Sequence, residues 1–301
     1  MMSWVRKLLL PMKIDYDIST IAPYINWDYF FYAWGMHNKP EAEKQKLRDE
    51  ADDMLRQLNG TYHTHALFQL FDAYSDGDDV VAYTGDRSQE SGDRSLETGA
   101  MRIPFLRQQQ PDSDCLCLAD FISPLTSHPS PLTSHLSPLT SKLGLFATSV
   151  DHGLENDFEH DAYLKMLVQL LADRLAEATA ERMHEEVRKT YWGYAKDEQL
   201  TMQELHVEKF QGIRPAVGYP SLPDTSLNFV IDGLIGMKQI GIRLTESGAM
   251  KPHASVSGFM MAHPQARYFS LGKIGDDQLA DYARRRGLPV EVMRKFLTSN
   301  L

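Results

Sequence analysis

Residues 211–224 read QGIRPAVGYPSLPD, and two of them, Arg214 and Tyr219, carry side chains suited to recognition. Pro215, Pro220 and Pro223 each remove a backbone donor, and Gly218 loosens the chain between them. Neither a helix interior nor a central strand accommodates that density of breakers. The guanidinium and the phenol are therefore expected on a stiff, extended loop. Both groups bind rather than attack, so the loop reads as a recognition surface without its own nucleophile.

The rest of the chain carries no motif for nucleotide, metal or nucleophile chemistry. There is no GxGxxG after a strand, no Walker A sequence, no HExxH and no GxSxG. Cys115 and Cys117 are the only cysteines; they are too close for a routine disulfide and too few for a zinc site or an iron–sulfur cluster. His63 and His65, in TYHTHALF, could share one strand face, but no carboxylate adjoins them. They read as packing or surface residues rather than metal ligands. Catalytic and metal-ligating residues are thus expected to be none.

Several elements must position the loop. IAPYINWDYFFYAWGM (21–36) reads as a buried segment that starts a helix, and KPEAEKQKLRDEADDMLRQLNG (39–60) as a charged amphipathic helix stopped at Asn59-Gly60. An apolar stretch at 62–71 is followed by a turn and short strand in DGDDVVAYTGD (76–86). CLCLADFI (115–122) alternates like a strand, and so does KLGLFATSV (142–150). Between them SPLTS recurs at Ser123, Ser130 and Ser137, a proline-bearing repeat expected to be a flexible surface insertion at about 123–141. From Asp161 to about Thr190 runs the strongest helix, with Leu167, Leu171, Leu175 and Ala178 on one face and Glu177 at its border. On pattern alone Glu177 reads as a solvated carboxylate. ASVSGFMMAHPQARYFSLGKI (254–274) reads as two strands around His263-Pro264, and the C-terminus as two helices broken between Gly287 and Pro289. Helices interleaved with short strands and hairpin signals give an α+β fold, a single mixed domain with a twisted, largely antiparallel sheet and flanking helices. Residues 1–19 read as a leader and 20–301 as the domain.

The composition limits the partners. With 301 residues and 43% hydrophobic content the chain can bury a sizeable core. A net charge of -10 argues against a nucleic-acid surface, and no apolar run is long enough for a membrane span. The three leucines before Pro11 are too short for a signal-peptide core, which points to the cytoplasm.

Beyond these readings, RPAVGYP resembles the RPAxGYP loop of the activation domain of cobalamin-dependent methionine synthase. PYINWDYFF, CLADF, LADRLAEATAERMHEEVRKTYWGYA, RLTES, ASVSG and DYARRRG are similar to further segments of that domain, in its order, from about residue 20 to the C-terminus. The resemblance implies S-adenosylmethionine as ligand. Arg214 would reach its carboxylate by a charge-assisted hydrogen bond. Ala216 and Gly218 would allow close backbone approach, and Tyr219 and Tyr268 would line the ligand, a ring near the sulfonium being favourable. Glu177 matches the family's helix-borne acid. One position departs: where the family has an acid in a Tyr-Ile-Asp-Trp stretch, this chain has Asn26, which accepts a hydrogen bond but brings no charge.

The same resemblance implies a mechanism in which cobalt is the nucleophile. The domain would dock on the corrinoid-binding domain or protein of methionine synthase, which carries the cobalamin. Flavodoxin or another reductase would supply an electron, and S-adenosylmethionine would methylate the reduced corrinoid. A second reading is a non-catalytic S-adenosylmethionine-binding or sensor module that has lost reactivation. Because 301 residues leave no room for the family's other modules, action in trans as a stand-alone chain is expected.

Overall fold

The computed structural model describes residues 10–84, 99–110, 113–125 and 140–301. Its first strand, β1 (Met12–Asp17), falls within the stretch read as a leader. Then come α1 (Ile18–Ile21), α2 (Trp27–Ala33) and α3 (Glu41–Leu58), the last burying Leu47, Ala51, Met54, Leu55 and Leu58 along one stripe. The chain continues through β2 (His63–Asp76), β3 (Asp79–Tyr83), β4 (Ala100–Pro104) and β5 (Lys142–Val150). The long helix α4 (Ala162–Glu186) precedes the short α5 (Met202–His206) and then α6 (Leu227–Ile235). A small hairpin of β6 (Arg243–Leu244) and β7 (Met250–Lys251) leads into β8 (Ser255–Met260), and α7 (Asp276–Arg286) and α8 (Val290–Phe296) end the chain.

The main sheet runs β4-β3-β2-β5-β8, with β1 also on β2, and every pairing is antiparallel. β2 is its hub: the first part pairs with β1 on one edge and β5 on the other, and the last residues pair with β3. The two-residue period of its side chains divides the core. Ala66, Phe68 and Leu70 join Phe146, Val256 and the apolar stripe of α4 on one face. Leu67, Phe71 and Ala73 join Leu145, Phe259 and Ile231 of α6 on the other. The result is the single α+β domain expected.

Three local readings are corrected. CLADF is a one-turn 3-10 helix (Leu118–Phe121), because Asp120 caps the Cys117 amide at 2.8 Å. In 254–274 only β8 is a strand; beyond Met261 the chain is held by loop contacts, such as the Leu271 amide donating to the Pro220 carbonyl at 2.9 Å. His65 does meet carboxylates: its ring nitrogens lie 2.6 Å from Asp15 and 2.9 Å from Asp151, brought together across three strands. Among the described residues, no group of three or more His, Cys, Asp or Glu is arranged to hold a metal ion. Most of the SPLTS repeat lies outside the described residues. No helix among them is long and apolar enough to cross a membrane.

Candidate functional site

The site begins with α4. Asp161 caps it, accepting from the amides of Tyr163 and Leu164 at 2.9 and 3.0 Å, and its leucines pin it to the sheet. The remaining face is set by helical spacing. Arg174, Glu177, Ala178 and Glu181 stand at i, i+3, i+4 and i+7, so all four side chains look the same way. They form one wall of a cavity of about 740 Å³.

The proline-rich segment forms the facing wall. Its stiffness comes from more than proline, because it is laced onto the outer edge of β8. The amides of Ile213 and Val217 donate to Met261 and Ser257, and the Phe259 amide donates to the Pro215 carbonyl, at 2.9 to 3.0 Å. Gly258 permits this approach: a Cβ there would run into the Pro215 carbonyl oxygen and lie 2.9 Å from the Ala216 Cα. Gly218 serves the turn that follows. Its φ is +91°, and its amide donates to the Leu222 carbonyl at 2.8 Å. At the far end Asp224 is buried and accepts the Tyr282 hydroxyl at 2.8 Å, which ties the loop to α7 through the DYARRRG segment.

Six of the seven expected residues line the cavity: Asn26, Glu177, Arg214, Ala216, Tyr219 and Tyr268. Gly218 does not; it shapes the turn behind Tyr219. Arg214 pairs with Glu181, and its amide donates to the Tyr268 hydroxyl at 2.9 Å. Burial disfavours the charge on Arg214, but Glu181, Tyr268 and Glu177 outweigh it and hold the guanidinium firmly protonated. Tyr219 donates to Glu177, bridging loop and helix; burial and that carboxylate push its phenol well up. Burial raises Tyr268 to about 12. Asn26 caps α2, its side-chain oxygen accepting the Asp28 amide at 3.2 Å.

Sequence reasoning missed several lining residues, among them Tyr24, Arg174, Glu181, His206 and Glu208. The signal for Arg174 and Glu181 was available: they share the face of Glu177. Tyr24 donates to Glu185 at 2.6 Å and accepts from Arg182 at 2.7 Å, which anchors the N-terminal segment to α4. The Arg214–Glu181 pair is incomplete. Arg214 Nε and Glu181 Oε1 are both buried without a partner, and so is Arg174 Nε. Such polar atoms beside a roomy cavity mark a place that a polar ligand can complete.

The family model for the vitamin B12-dependent methionine synthase activation domain matches residues 17–287. Among solved structures, the chain is similar to the crystal structure of the MetH reactivation domain bound to AdoHcy. The two share 37% sequence identity at a TM-score of 0.83, over 97% of this chain and 90% of that one. A match over most of the chain in both sequence and fold leaves one conclusion: the protein belongs to the vitamin B12-dependent methionine synthase activation-domain family.

Proposed function

We propose that the cavity between α4 and the 213–219 loop binds S-adenosylmethionine and presents its methyl group for reductive methylation of cob(II)alamin on a partner corrinoid protein. The carrying observation is the cavity itself. It gathers Asn26, Glu177, Arg214, Ala216, Tyr219 and Tyr268 from four separate segments around buried polar atoms that lack partners. That the similar reactivation domain is bound to AdoHcy supports an adenosyl amino-acid ligand.

The residues suit the ligand's parts. Arg214 offers a fixed positive charge for the carboxylate, on a loop that has little freedom left to lose. Tyr219 and Tyr268 offer aromatic faces to the sulfonium. When bound, S-adenosylmethionine supplies an electrophilic methyl group. One electron from flavodoxin or another reductase makes the partner's corrinoid a nucleophile for that methyl, and AdoHcy is left behind. This chain holds the methyl donor in line and keeps water from it.

Calorimetry with S-adenosylmethionine tests the binding. Wild type is expected to bind, and Arg214→Ala to lose about tenfold to a hundredfold in affinity. No heat with the intact protein would sink the reading. The neutral Asn26 favours a second reading, a sensor that binds the ligand without reactivation. Mixing the protein with a cobalamin domain, reductant and S-adenosylmethionine separates the two: loss of the cob(II)alamin spectrum supports reactivation, and its persistence supports the sensor.

A further inference from the structure

Behind the cavity wall, α4 carries a row of polar side chains into the core. Glu177, Glu181 and His184 stand at i, i+4 and i+7. Arg188 follows one turn on, in the π turn (Val187–Tyr191) that continues the helix. His184 and Arg188 are fully buried and do not line the cavity.

Arg188 is held on every side. Its Nε and Nη2 donate to Glu198 at 3.0 and 2.6 Å, and its guanidinium lies over the Phe210 ring, 4.2 Å from the centroid. That contact seats the base of the 213–219 loop on the helix. The remaining nitrogen, Nη1, lies 2.9 Å from His184 Nδ1. A guanidinium only donates, so Nδ1 must accept. Burial, with the charges of Arg188 and Arg214 added, holds His184 well below the ordinary imidazole range, and the ring is neutral. A neutral ring that accepts at Nδ1 carries its one proton on Nε2. That N–H is buried and has no partner.

One turn toward the cavity, Glu181 has the complementary need. Its Oε2 accepts from Arg214, while Oε1 is buried without a partner, and so is Arg214 Nε. Among the described residues, Glu181 Oε1 is the one buried carboxylate oxygen in that condition. Two donors and one acceptor suit a single water molecule. Its oxygen accepts from His184 Nε2 and Arg214 Nε, and it donates to Glu181 Oε1.

We propose that His184 is a positioning residue: held by Arg188 with its proton on Nε2, it donates through one internal water to Glu181 and so fixes the Arg214–Glu181 pair. The bridge stands on the arrangement of these side chains. Its effect on binding rests on the reading of the cavity as an S-adenosylmethionine site. Neutral histidine suits the position. A fixed cation would sit between the charges of Arg188 and Arg214, and an apolar side chain would leave both Arg188 Nη1 and the water unmet.

The test uses the full chain. Nitrogen-15 NMR of the histidine rings, with His184 assigned by its loss in His184→Gln, is expected to show a neutral Nε2–H tautomer from about pH 6 to about pH 8. The Arg214 Nε–H, assigned by its loss in Arg214→Ala, is expected to exchange slowly with solvent. His184→Gln keeps a donor near the Nε2 position, and His184→Leu removes it; both leave Arg188 Nη1 unmet, so both should lower the urea midpoint to a similar extent. They should differ in the rest. His184→Leu is expected to lose the slow exchange at Arg214 and about tenfold in S-adenosylmethionine affinity, whereas His184→Gln keeps the slow exchange and most of the affinity. A proton on Nδ1, a charged ring, fast exchange at Arg214 Nε, equal losses of affinity in the two variants, or wild-type affinity in His184→Leu overturns the proposal. Where neither variant folds, the wild-type ring tautomer and Arg214 signal decide it. Wild type that binds no S-adenosylmethionine sinks the cavity reading, and those two signals then decide the bridge alone.

Discussion

At the scale of single residues, Tyr268 shows how one hydroxyl serves two purposes. It accepts the backbone amide of Arg214, and so fixes the residue whose side chain faces Glu181. Tyr268→Phe leaves that amide without an acceptor, and should lower stability by about 1–3 kcal/mol in urea unfolding. It should also weaken S-adenosylmethionine binding in calorimetry, because the guanidinium is then less well placed; unchanged affinity would show that Arg214 is held by other contacts alone. The sequence exposed some of these residues and hid others for physical reasons. Arg214 and Tyr219 stood out because prolines and a glycine isolate them. Glu181 did not, because it is one of many charges on a charged helix and its burial depends on which face the sheet leaves open. Nothing in the letters around Glu208, another lining residue, marks its left-handed backbone, with φ at +58°.

At the scale of elements, the loop and β8 behave as one unit. The Pro215 and Ile213 backbones bond to the strand, and Gly258 makes room for them. Gly258→Ala forces a methyl group against the Pro215 carbonyl. It should destabilise the fold by about 1–3 kcal/mol and abolish measurable ligand binding, tested by chemical denaturation and calorimetry. A variant that keeps both stability and affinity would mean that the loop can yield without consequence. The long elements were legible because they repeat one rule many times. α3 shows its apolar stripe against a charged face over 18 residues, and α7 and α8 are divided by Gly287 and Pro289. Short elements were not. CLADF is too brief for alternation to separate a strand from a 3-10 turn. MKIDYD alternates well, but it becomes a strand only because β2 offers an edge.

At the scale of the whole molecule, carboxylates tie distant parts together. Burial opposes ionisation of Asp15 and Asp151, but His65, together with Lys13 at Asp15 and the His63 amide at Asp151, outweighs it and holds both below their ordinary values. Glu185 is lowered too: burial opposes its charge, while Lys189 and Tyr24 favour it. Groups depressed in the folded state stabilise it above their unfolded values, and that contribution disappears as pH falls through the folded ones. The urea midpoint should therefore hold steady above about pH 5 and decline below about pH 4. His65→Gln should flatten the decline contributed by Asp15 and Asp151; an unaltered acid slope would exclude the histidine as its source.

The lacing of the 213–217 segment onto β8 also bears on solubility. β8 is the last strand of the main sheet, and without the loop its outer row of amides and carbonyls would stand open to pairing with another chain. The segment that walls the cavity also seals that edge. A change that frees the loop should therefore produce aggregation as well as weak binding, and a ligand that tightens the loop should protect the protein against both.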